Sequence, residues 1–433
     1  MKLFSCNILK DEEIRSAPVV SNEEISSGAE RINIFPVEKQ SIIGFGGAFT
    51  ESSAYLYSLM SKDNKLKALE LLFGDSGLKY RLCRVCIGSC DFSTEAYTYV
   101  ADGDSSLESF DISRDKKYVI PFIKDAMEYI KGDFTLIASP WSPPAFMKDN
   151  DSLFEGGCLK EEFYSIYADY IVKFILAYWE EGIKISLITP QNEPNASQTW
   201  ESCIFSAKQE ARFIRVLSDK LKKSAPWVKI LCWDHNKGRL YDRAKAIYEA
   251  VGDNVCGCGF HWYSGSHFDE LRMHRELYPQ KMLIETEFCN GLTRKFFDTY
   301  RNEILNNLNC GVSGICEWNM ILDKNGAPFH NRGFGCGAPI CYDTEKKVLT
   351  TRNMYNDTFM FSHFMGYDAK SLFTSTFDEK IRVCAAKRTD GVIVAVIENH
   401  HTLAKEFTLC CSETTWRLDI PANSLMTVEI SEQ

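Results

Sequence analysis

Two glutamates in this chain each end an apolar segment that is typical of a β-strand. Glu193 follows residues 187–192, and Glu287 ends residues 282–287. In a parallel barrel the carboxyl ends of all strands meet at one rim, so the two carboxyls would face one site. A pair of carboxylic acids, one protonated and one ionised, is what cleavage of a glycosidic bond requires. The pair therefore predicts such a site, provided that both strands belong to one barrel.

Glu285 is an alternative to Glu287 as the second carboxyl of the predicted pair. The two glutamates are two residues apart, so a regular strand points both to the same side and face parity does not separate them. The catalytic rim lies at the carboxyl end of the strand, which favours Glu287. Glu285 would lie about 6–7 Å deeper along the strand, where a carboxylate needs a cationic partner. Arg84, on the second predicted strand, is the candidate partner.

The neighbours of the two glutamates suit a sugar. Asn192, next to Glu193, could hold a sugar 2-hydroxyl. A single large aromatic side chain can simply fill a barrel mouth, but several on one rim indicate platforms for sugar rings. Four are predicted at the same rim: Trp141, Trp262, Tyr263 and Trp318. His261 could be a metal ligand or a base, but a hydrogen-bonded structural role is favoured, because the sequence holds no His-x-x-x-His pair.

Eight β-rich segments position these residues, and helical patterns separate most of them. The predicted strands are residues 41–45, 81–87, 134–139, 185–190, 228–233, 256–261, 282–287 and 312–318. The alternation predicts a (β/α)8 barrel. A doubly wound sheet is the alternative, but no Gly-x-Gly-x-x-Gly follows the first strand. We interpret the glycine-rich residues 44–47 as a tight turn where a barrel strand meets its loop, since no Lys-Ser or Lys-Thr follows as in a phosphate-binding loop.

The last part of the chain has a different pattern, with short strands and no helices between them. Strands are predicted at residues 381–387, 392–398, 406–411, 415–418 and 425–430, with a hairpin signal at Asp390-Gly391. A further strand at 31–35 has no helix after it. We therefore predict an antiparallel β side domain built from both chain ends, residues 1–40 and 363–433, around a catalytic barrel of residues 41–362.

Bulk properties exclude several classes of partner. The chain has 433 residues, 45% of them hydrophobic, and a net charge of −10, so a nucleic acid is a poor partner. No window approaches the roughly 18 apolar residues of a membrane span, and stable membrane insertion is not expected. The first residues carry no continuous apolar stretch, so no signal peptide is predicted. With 17 cysteines, we expect reduced thiols and a cytoplasmic location.

Three closely spaced cysteines invite a metal or redox interpretation. Cys83 and Cys86 lie on one predicted strand at an odd separation, so they face opposite sides, and Cys90 follows. Bare cysteine spacing without a second pair is a weak metal signal. We interpret these cysteines as small buried hydrophobic residues.

Six segments, taken in order, resemble the motifs of glycoside hydrolase family 30, the family of lysosomal glucosylceramidase and its bacterial relatives. They are residues 44–51, 89–93, 139–144, 191–194, 260–263 and 286–289. The resemblance runs from about residue 31 to the C-terminus. It implies a retaining glycosidase with a (β/α)8 barrel, an attached β side domain and no cofactor, acting on a carbohydrate or glycoconjugate.

The same resemblance assigns roles. Glu193, in the Asn-Glu-Pro segment, would be the acid/base, and Glu287 would be the nucleophile, in agreement with the depth argument. Arg84 and Tyr263 would support the nucleophile, Tyr263 from the substrate side, and His261 would be a supporting residue. The implied sugar contacts of the first subsite are Asp91, Trp141, Asn192 and Trp318.

Two departures from the family pattern leave the substrate open. Glu285 stands where a small or apolar residue is usual, and the glycine-rich loop 329–337 is unlike that of the mammalian enzyme. The leading hypothesis is an exo-acting β-glucosidase, with glucosylceramide-like substrates as one option. An endo-β-1,6-glucanase, a β-xylosidase and a catalytically silent carbohydrate-binding protein are the alternatives. Retention predicts that the Glu193 and Glu287 carboxyls lie about 5–5.5 Å apart.

Overall fold

A closed barrel of eight parallel strands forms the centre of the protein, in a computed structural model that describes residues 2–7, 15–17, 30–292 and 300–431. The barrel strands are Gly44–Ala48, Leu82–Ile87, Thr135–Pro140, Ile185–Ile188, Lys229–Asn236, Gly257–His261, Met282–Glu287 and Gly314–Asn319. Each predicted barrel strand overlaps one of these, and the predicted (β/α)8 fold is confirmed.

The first barrel strand begins later than predicted. Residues 41 and 42 end a long strand of a second sheet, Glu30–Ile42, and the barrel strand is Gly44–Ala48. The interpretation of residues 44–47 as a turn is therefore wrong. A Cβ at Gly46 would lie 1.3 Å from the carbonyl oxygen of Leu82 on the neighbouring strand. Glycine stands here because the two backbones approach too closely for any side chain.

Helices cover the outside of the barrel. In the described part of the chain they are Glu51–Ser58, Lys62–Phe73, Ser113–Lys117, Val119–Ile130, Tyr164–Glu180, Ala207–Ser224, Leu240–Val251, Phe268–Leu277, Tyr300–Asn309 and Asn353–Met365. Ser206 and Gln209 form a reciprocal capping box that fixes the start of Ala207–Ser224. None of the described helices is long and apolar enough to cross a membrane.

A nine-stranded sheet packs beside the barrel and uses both chain ends. In spatial order its strands are Thr414–Ile420, Lys405–Cys411, Glu30–Ile42, Ala369–Thr376, Ile381–Lys387, Ile393–Asn399, Ser424–Ile430, Lys2–Asn7 and Arg15–Ala17. Neighbours are antiparallel except at one pairing, between Glu30–Ile42 and Lys405–Cys411. The predicted side sheet from both ends is confirmed, although Lys2–Asn7, Arg15–Ala17 and Ala369–Thr376 were not predicted as strands. A small third sheet, which follows the barrel, consists of Ile321–Leu322, Ile340–Asp343 and Val348–Thr351.

The barrel interior has an apolar layer followed by a polar one. The apolar layer is a buried cluster of five side chains, one from each of five strands: Leu82, Ile137, Leu187, Leu231 and Ile284. Two residues further along four of these strands stand buried polar side chains: Arg84, Ser139, Thr189 and Thr286. Because alternate residues of a strand face the same side, the polar set forms the next layer towards the carboxyl ends. The apolar layer thus closes the barrel below a polar site.

Candidate active site

Arg84 is the centre of the polar layer. Its side chain is fully buried, and its guanidinium donates to Glu287 Oε2 at 2.7 Å, Asp234 Oδ2 at 2.8 Å and Asn192 Oδ1 at 2.9 Å. The planar fork of an arginine can serve several acceptors at fixed angles, as a lysine cannot. Burial alone would raise the pKa of Asp234, but Arg84 holds it well below its usual range. Arg84 thus fixes the orientation of Glu287 and joins three barrel strands and a rim loop.

Glu285 lies on the other side of the barrel wall from Glu287. The predictions that both share a face and that Arg84 pairs with Glu285 are wrong. The register of the strand against its neighbour shifts between Glu285 and Glu287, and such a bulge reverses the parity of the residues beyond it. Glu285 instead points to the helix layer, where its Oε2 accepts from Asn307 Nδ2 at 2.8 Å.

Two imidazoles flank the carboxyl of Glu193. Its Oε1 lies 3.1 Å from His261 Nδ1 and 3.6 Å from His235 Nδ1. The other nitrogen of His261 lies 3.2 Å from Asp234 Oδ1, so the ring bridges two carboxyls. Burial would lower the pKa of His261, but the charge of Glu287 and these hydrogen bonds raise it to about 9. Burial would raise the pKa of Glu193, but the two histidines lower it well below its usual range.

A cavity of about 470 Å³ contains both glutamates, a size typical of small-molecule sites. Of the residues that the sequence singled out, those lining it are Asp91, Trp141, Asn192, Glu193, Tyr263, Glu287 and Trp318. The rings of Trp141 and Trp318 stack with centroids 5.1 Å apart, and the Tyr263 hydroxyl donates to Glu287 Oε1 at 3.0 Å. Arg84 and His261 lie beneath this lining. Arg84 contacts Glu287, and His261 contacts Glu193.

Trp262 does not belong to the aromatic lining, so its predicted role as a platform is wrong. It is buried against Phe288 and Tyr300, with ring centroids at 5.5 and 5.7 Å. Its indole nitrogen donates to the backbone oxygen of Cys289 at 3.2 Å. Both residues follow the end of the strand Gly257–His261, and there Tyr263 lines the cavity while Trp262 packs into the helix layer.

The sequence analysis missed the two polar residues at the end of the fifth barrel strand, Asp234 and His235. That strand was predicted to end at Trp233, but it continues to Asn236. Trp233 and Asp234 both have positive φ, 73° and 54°, so the strand kinks here. The alternation of side chains along a regular strand therefore does not predict which side these two residues face. An Asp-His pair directly after a run of apolar residues was the available signal.

Arg332 is a further missed residue of the cavity. It comes from loop 329–337, which the sequence analysis noted only as unusual. Its guanidinium forms a short ion pair with Asp91 and lies over the ring of Trp200 at 5.2 Å from the centroid. Burial raises the pKa of Asp91 to about 6, against the opposing effect of Arg332. The loop therefore supplies one wall of the cavity.

An eight-stranded parallel barrel with two carboxyls in one cavity at its carboxyl-terminal rim defines the class of the protein as a glycoside hydrolase. The family model for the glycosyl hydrolase family 30 TIM-barrel domain matches residues 42–365. The chain belongs to glycosyl hydrolase family 30, and the predictions of family and of an enzyme are confirmed.

Three comparisons show how the chain relates to known members. It is 30% identical to the lysosomal acid glucosylceramidase of Mus musculus over 83% of this chain and 75% of that protein. The structure of SrfJ from Salmonella typhimurium superposes with a TM-score of 0.92 at 30% identity, covering 100% of this chain and 99% of that one. An endo-β1,6-glucanase structure superposes with a TM-score of 0.90 at 26% identity, covering 100% and 99%. The relatives thus include both glucosylceramidases and endo-glucanases.

Proposed function

We propose that the protein is a retaining exo-β-glycosidase that hydrolyses β-glucosides. The observation that carries this proposal is the unlike surroundings of two carboxyls in one cavity. Glu287 accepts hydrogen bonds from Arg84 and Tyr263, which suits an ionised nucleophile. Glu193 shares a hydrogen bond with His261, which suits a group that gives up and takes back a proton.

In the first step, Glu287 attacks the anomeric carbon and the bond from that carbon to the leaving oxygen breaks. The leaving oxygen keeps the electron pair and takes a proton from Glu193. His261 Nδ1 lies 3.1 Å from Glu193 Oε1, so the imidazole can donate a proton to Glu193. As negative charge develops on the leaving oxygen, Glu193 passes its proton to the leaving group.

In the second step, water replaces the leaving group. Glu193 accepts a proton from the water, whose oxygen attacks the anomeric carbon and displaces the carboxylate of Glu287. Two displacements at one carbon restore its configuration, so the released sugar has the β-configuration. Arg84 again receives an ionised Glu287, so the guanidinium stabilises both the starting state and the regenerated one.

Exo action is supported by the ion pair between Arg332 and Asp91. Both side chains are almost fully buried, with exposures of 7% and 6%, and they stand beside the stacked rings of Trp141 and Trp318. A polymer that passes through an active site needs an opening at each end. We infer that this ion pair closes the sugar end of the cavity, which would leave room for a terminal residue only, with Asp91 facing the hydroxyls of that residue.

Similarity to a glucosylceramidase supports β-glucose as the terminal sugar. An endo-β-1,6-glucanase is the second candidate, because a solved structure of that name matches the whole chain. The two are separated by rates on nitrophenyl β-glucoside, nitrophenyl β-xyloside and linear β-1,6-glucan. We expect the glucoside to be the best substrate, with β-glucose as the first product seen by NMR. Hydrolysis of the polymer alone contradicts exo action, and α-glucose as first product contradicts retention.

The separate roles of the two glutamates are tested by chemical rescue. With an activated leaving group, Glu193→Ala is expected to form the glycosyl-enzyme but to hydrolyse it slowly, and azide should restore turnover and give a β-glycosyl azide. Glu287→Ala with azide should give an α-glycosyl azide instead. Glu285→Gln is the matched control, because Glu285 lies outside the cavity. The same anomer from both variants contradicts the assignment.

A further inference from the structure

The acid/base position carries a second arrangement that glycoside hydrolysis does not require. Glu193, His235 and His261 each offer one donor atom, and the three atoms lie within 4.8 Å of one another. We propose that these residues form a site for a divalent transition-metal ion, with Zn²⁺ as the best match, and that its occupation inhibits the enzyme. The inhibition rests on the proposed role of Glu193, whereas the binding itself does not.

The separations of the donor atoms fit tetrahedral coordination. Zinc binds histidine nitrogen and carboxylate oxygen at about 2.0–2.2 Å, which places two ligands of a tetrahedron roughly 3.3–3.5 Å apart. Glu193 Oε1 lies 3.1 Å from His261 Nδ1 and 3.6 Å from His235 Nδ1. Both separations from Glu193 therefore match this geometry to within a few tenths of an ångström, and the ligand atoms of the two histidines lie within 4.8 Å of each other.

His235 supplies an independent reason to expect a ligand. The residue is 9% exposed, and its Nδ1 is buried without a hydrogen-bond partner among the described residues. A buried polar atom without a partner is uncommon and costs stability. This atom points to Glu193 Oε1 at a distance too long for a hydrogen bond. A metal ion between the two would satisfy both.

The surroundings of His261 also match those of a metal ligand. Its Nε2 lies 3.2 Å from Asp234 Oδ1, and Asp234 is held in turn by Arg84 and Thr189. Metal binding would displace the proton from Nδ1. With the Nε2 proton donated to Asp234, the lone pair of Nδ1 then points to the proposed site. Histidine ligands of zinc are commonly oriented by a carboxylate in this way.

The fourth coordination position would face the substrate cavity, which both Glu193 and His235 line. Water can occupy it, so the site is open in the manner of non-structural zinc sites. An ion here would coordinate Glu193 Oε1 and hold it without a proton, so Glu193 could not protonate a leaving oxygen. Two imidazoles and one carboxylate favour Zn²⁺ or Cu²⁺ over Mg²⁺ and Ca²⁺, which prefer oxygen ligands.

Cobalt spectroscopy on the whole protein tests the site without reference to activity. After chelator treatment, Co²⁺ is expected to bind with one equivalent and to give the visible bands of tetrahedral cobalt, and Zn²⁺ should abolish them. His235→Asn and Glu193→Gln are each expected to weaken binding about 100-fold, whereas His400→Asn, in the side sheet, should change nothing. Bands from sulfur-to-cobalt charge transfer that persist in His235→Asn would mean binding to cysteine thiols only and overturn the proposal.

Inhibition is measured in parallel on a β-glycoside that the enzyme hydrolyses. The Zn²⁺ concentration that halves the rate should equal the dissociation constant from spectroscopy and rise about 100-fold in His235→Asn. Inhibition at the same concentration in both proteins contradicts the inhibitory part. If no β-glycoside is hydrolysed, the proposed function fails, and the cobalt titration still decides whether the metal site exists.

Discussion

Two buried groups of charged side chains lie on opposite sides of the seventh barrel strand. The cation of one group is an arginine, and that of the other is a lysine. Inside the barrel, Arg84 contacts Glu287 and Asp234. Outside, the ammonium of Lys237 contacts Glu303 at 2.5 Å, and Glu285 accepts from Asn307. Burial and the charge of Glu303 raise the pKa of Glu285 well above its usual range.

The comparison teaches how a protein sets the charge of a buried carboxyl. Arg84 presents several donors in one plane and forms ion pairs with two carboxylates at once, and it lowers the pKa of Asp234. Lys237 is a point charge already paired with Glu303, and Glu285 Oε1 has no hydrogen-bond partner in the described structure. We therefore expect Glu285 to keep its proton. Glu285 and Glu287 are two residues apart on one strand, yet Glu285 contacts Asn307 whereas Glu287 contacts Arg84 and Tyr263.

Removing the arginine should have the largest effect. Arg84→Met leaves Glu287 and Asp234 buried without a cation, which typically costs about 3–5 kcal/mol of stability. The rate should fall by about 1,000-fold, as when a preorganised donor is lost from an active site. Urea unfolding and steady-state rates check both numbers. A variant that keeps most of its activity would show that the contact of Arg84 with Glu287 is not needed for activity.

Removing the lysine should lower the stability of the protein and leave its activity nearly unchanged. Lys237→Met leaves Glu303 beside the protonated Glu285, which can donate to it, so the cost should be about 1–3 kcal/mol. The rate should stay within about twofold, because the barrel wall separates this group from the cavity. The same two measurements apply. A loss of activity as large as that of Arg84→Met would mean that the two groups are coupled.

Glu285→Gln should have the smallest effect near pH 5, and this effect should grow as the pH rises. When folding raises the pKa of a carboxyl, the contribution of that carboxyl to the free energy of unfolding falls as the pH rises above the pKa of the unfolded state, about 4.3. The wild type should therefore lose up to about 1.4 kcal/mol per pH unit from this group until the folded pKa is reached. Glu285→Gln removes this pH-dependent contribution. The free energy of unfolding of the variant, relative to that of the wild type, should therefore increase from pH 5 to pH 8. Unfolding curves that stay parallel over this range would show that Glu285 is ionised in the folded protein.

The sequence predicted the fold well because strand periodicity and helix patterns are local. It also placed seven of the residues that line the cavity, since the carboxyl end of a barrel strand is recognisable from its apolar run. It failed at Trp262 because that residue faces away from the cavity that Tyr263 lines, and it failed at Glu285 and Asp234 for a different, shared reason. A bulge or a kink changes the facing of the next side chain, and nothing in the residue types at Glu285–Glu287 or Trp233–Asp234 announces it. Arg332 was missed because its loop has no periodicity.

The side sheet has a consequence for the order in which the chain can fold. Glu30–Ile42 leads directly into the barrel, yet its sheet partners are Ala369–Thr376 and Lys405–Cys411. During synthesis the chain emerges from its amino end, so this strand waits without partners until the entire barrel has been made. An unpaired strand of 13 residues is a template for pairing with other chains. Rapid pairing of this strand once the chain is complete, as well as the contacts of the folded state, therefore protects this protein from aggregation.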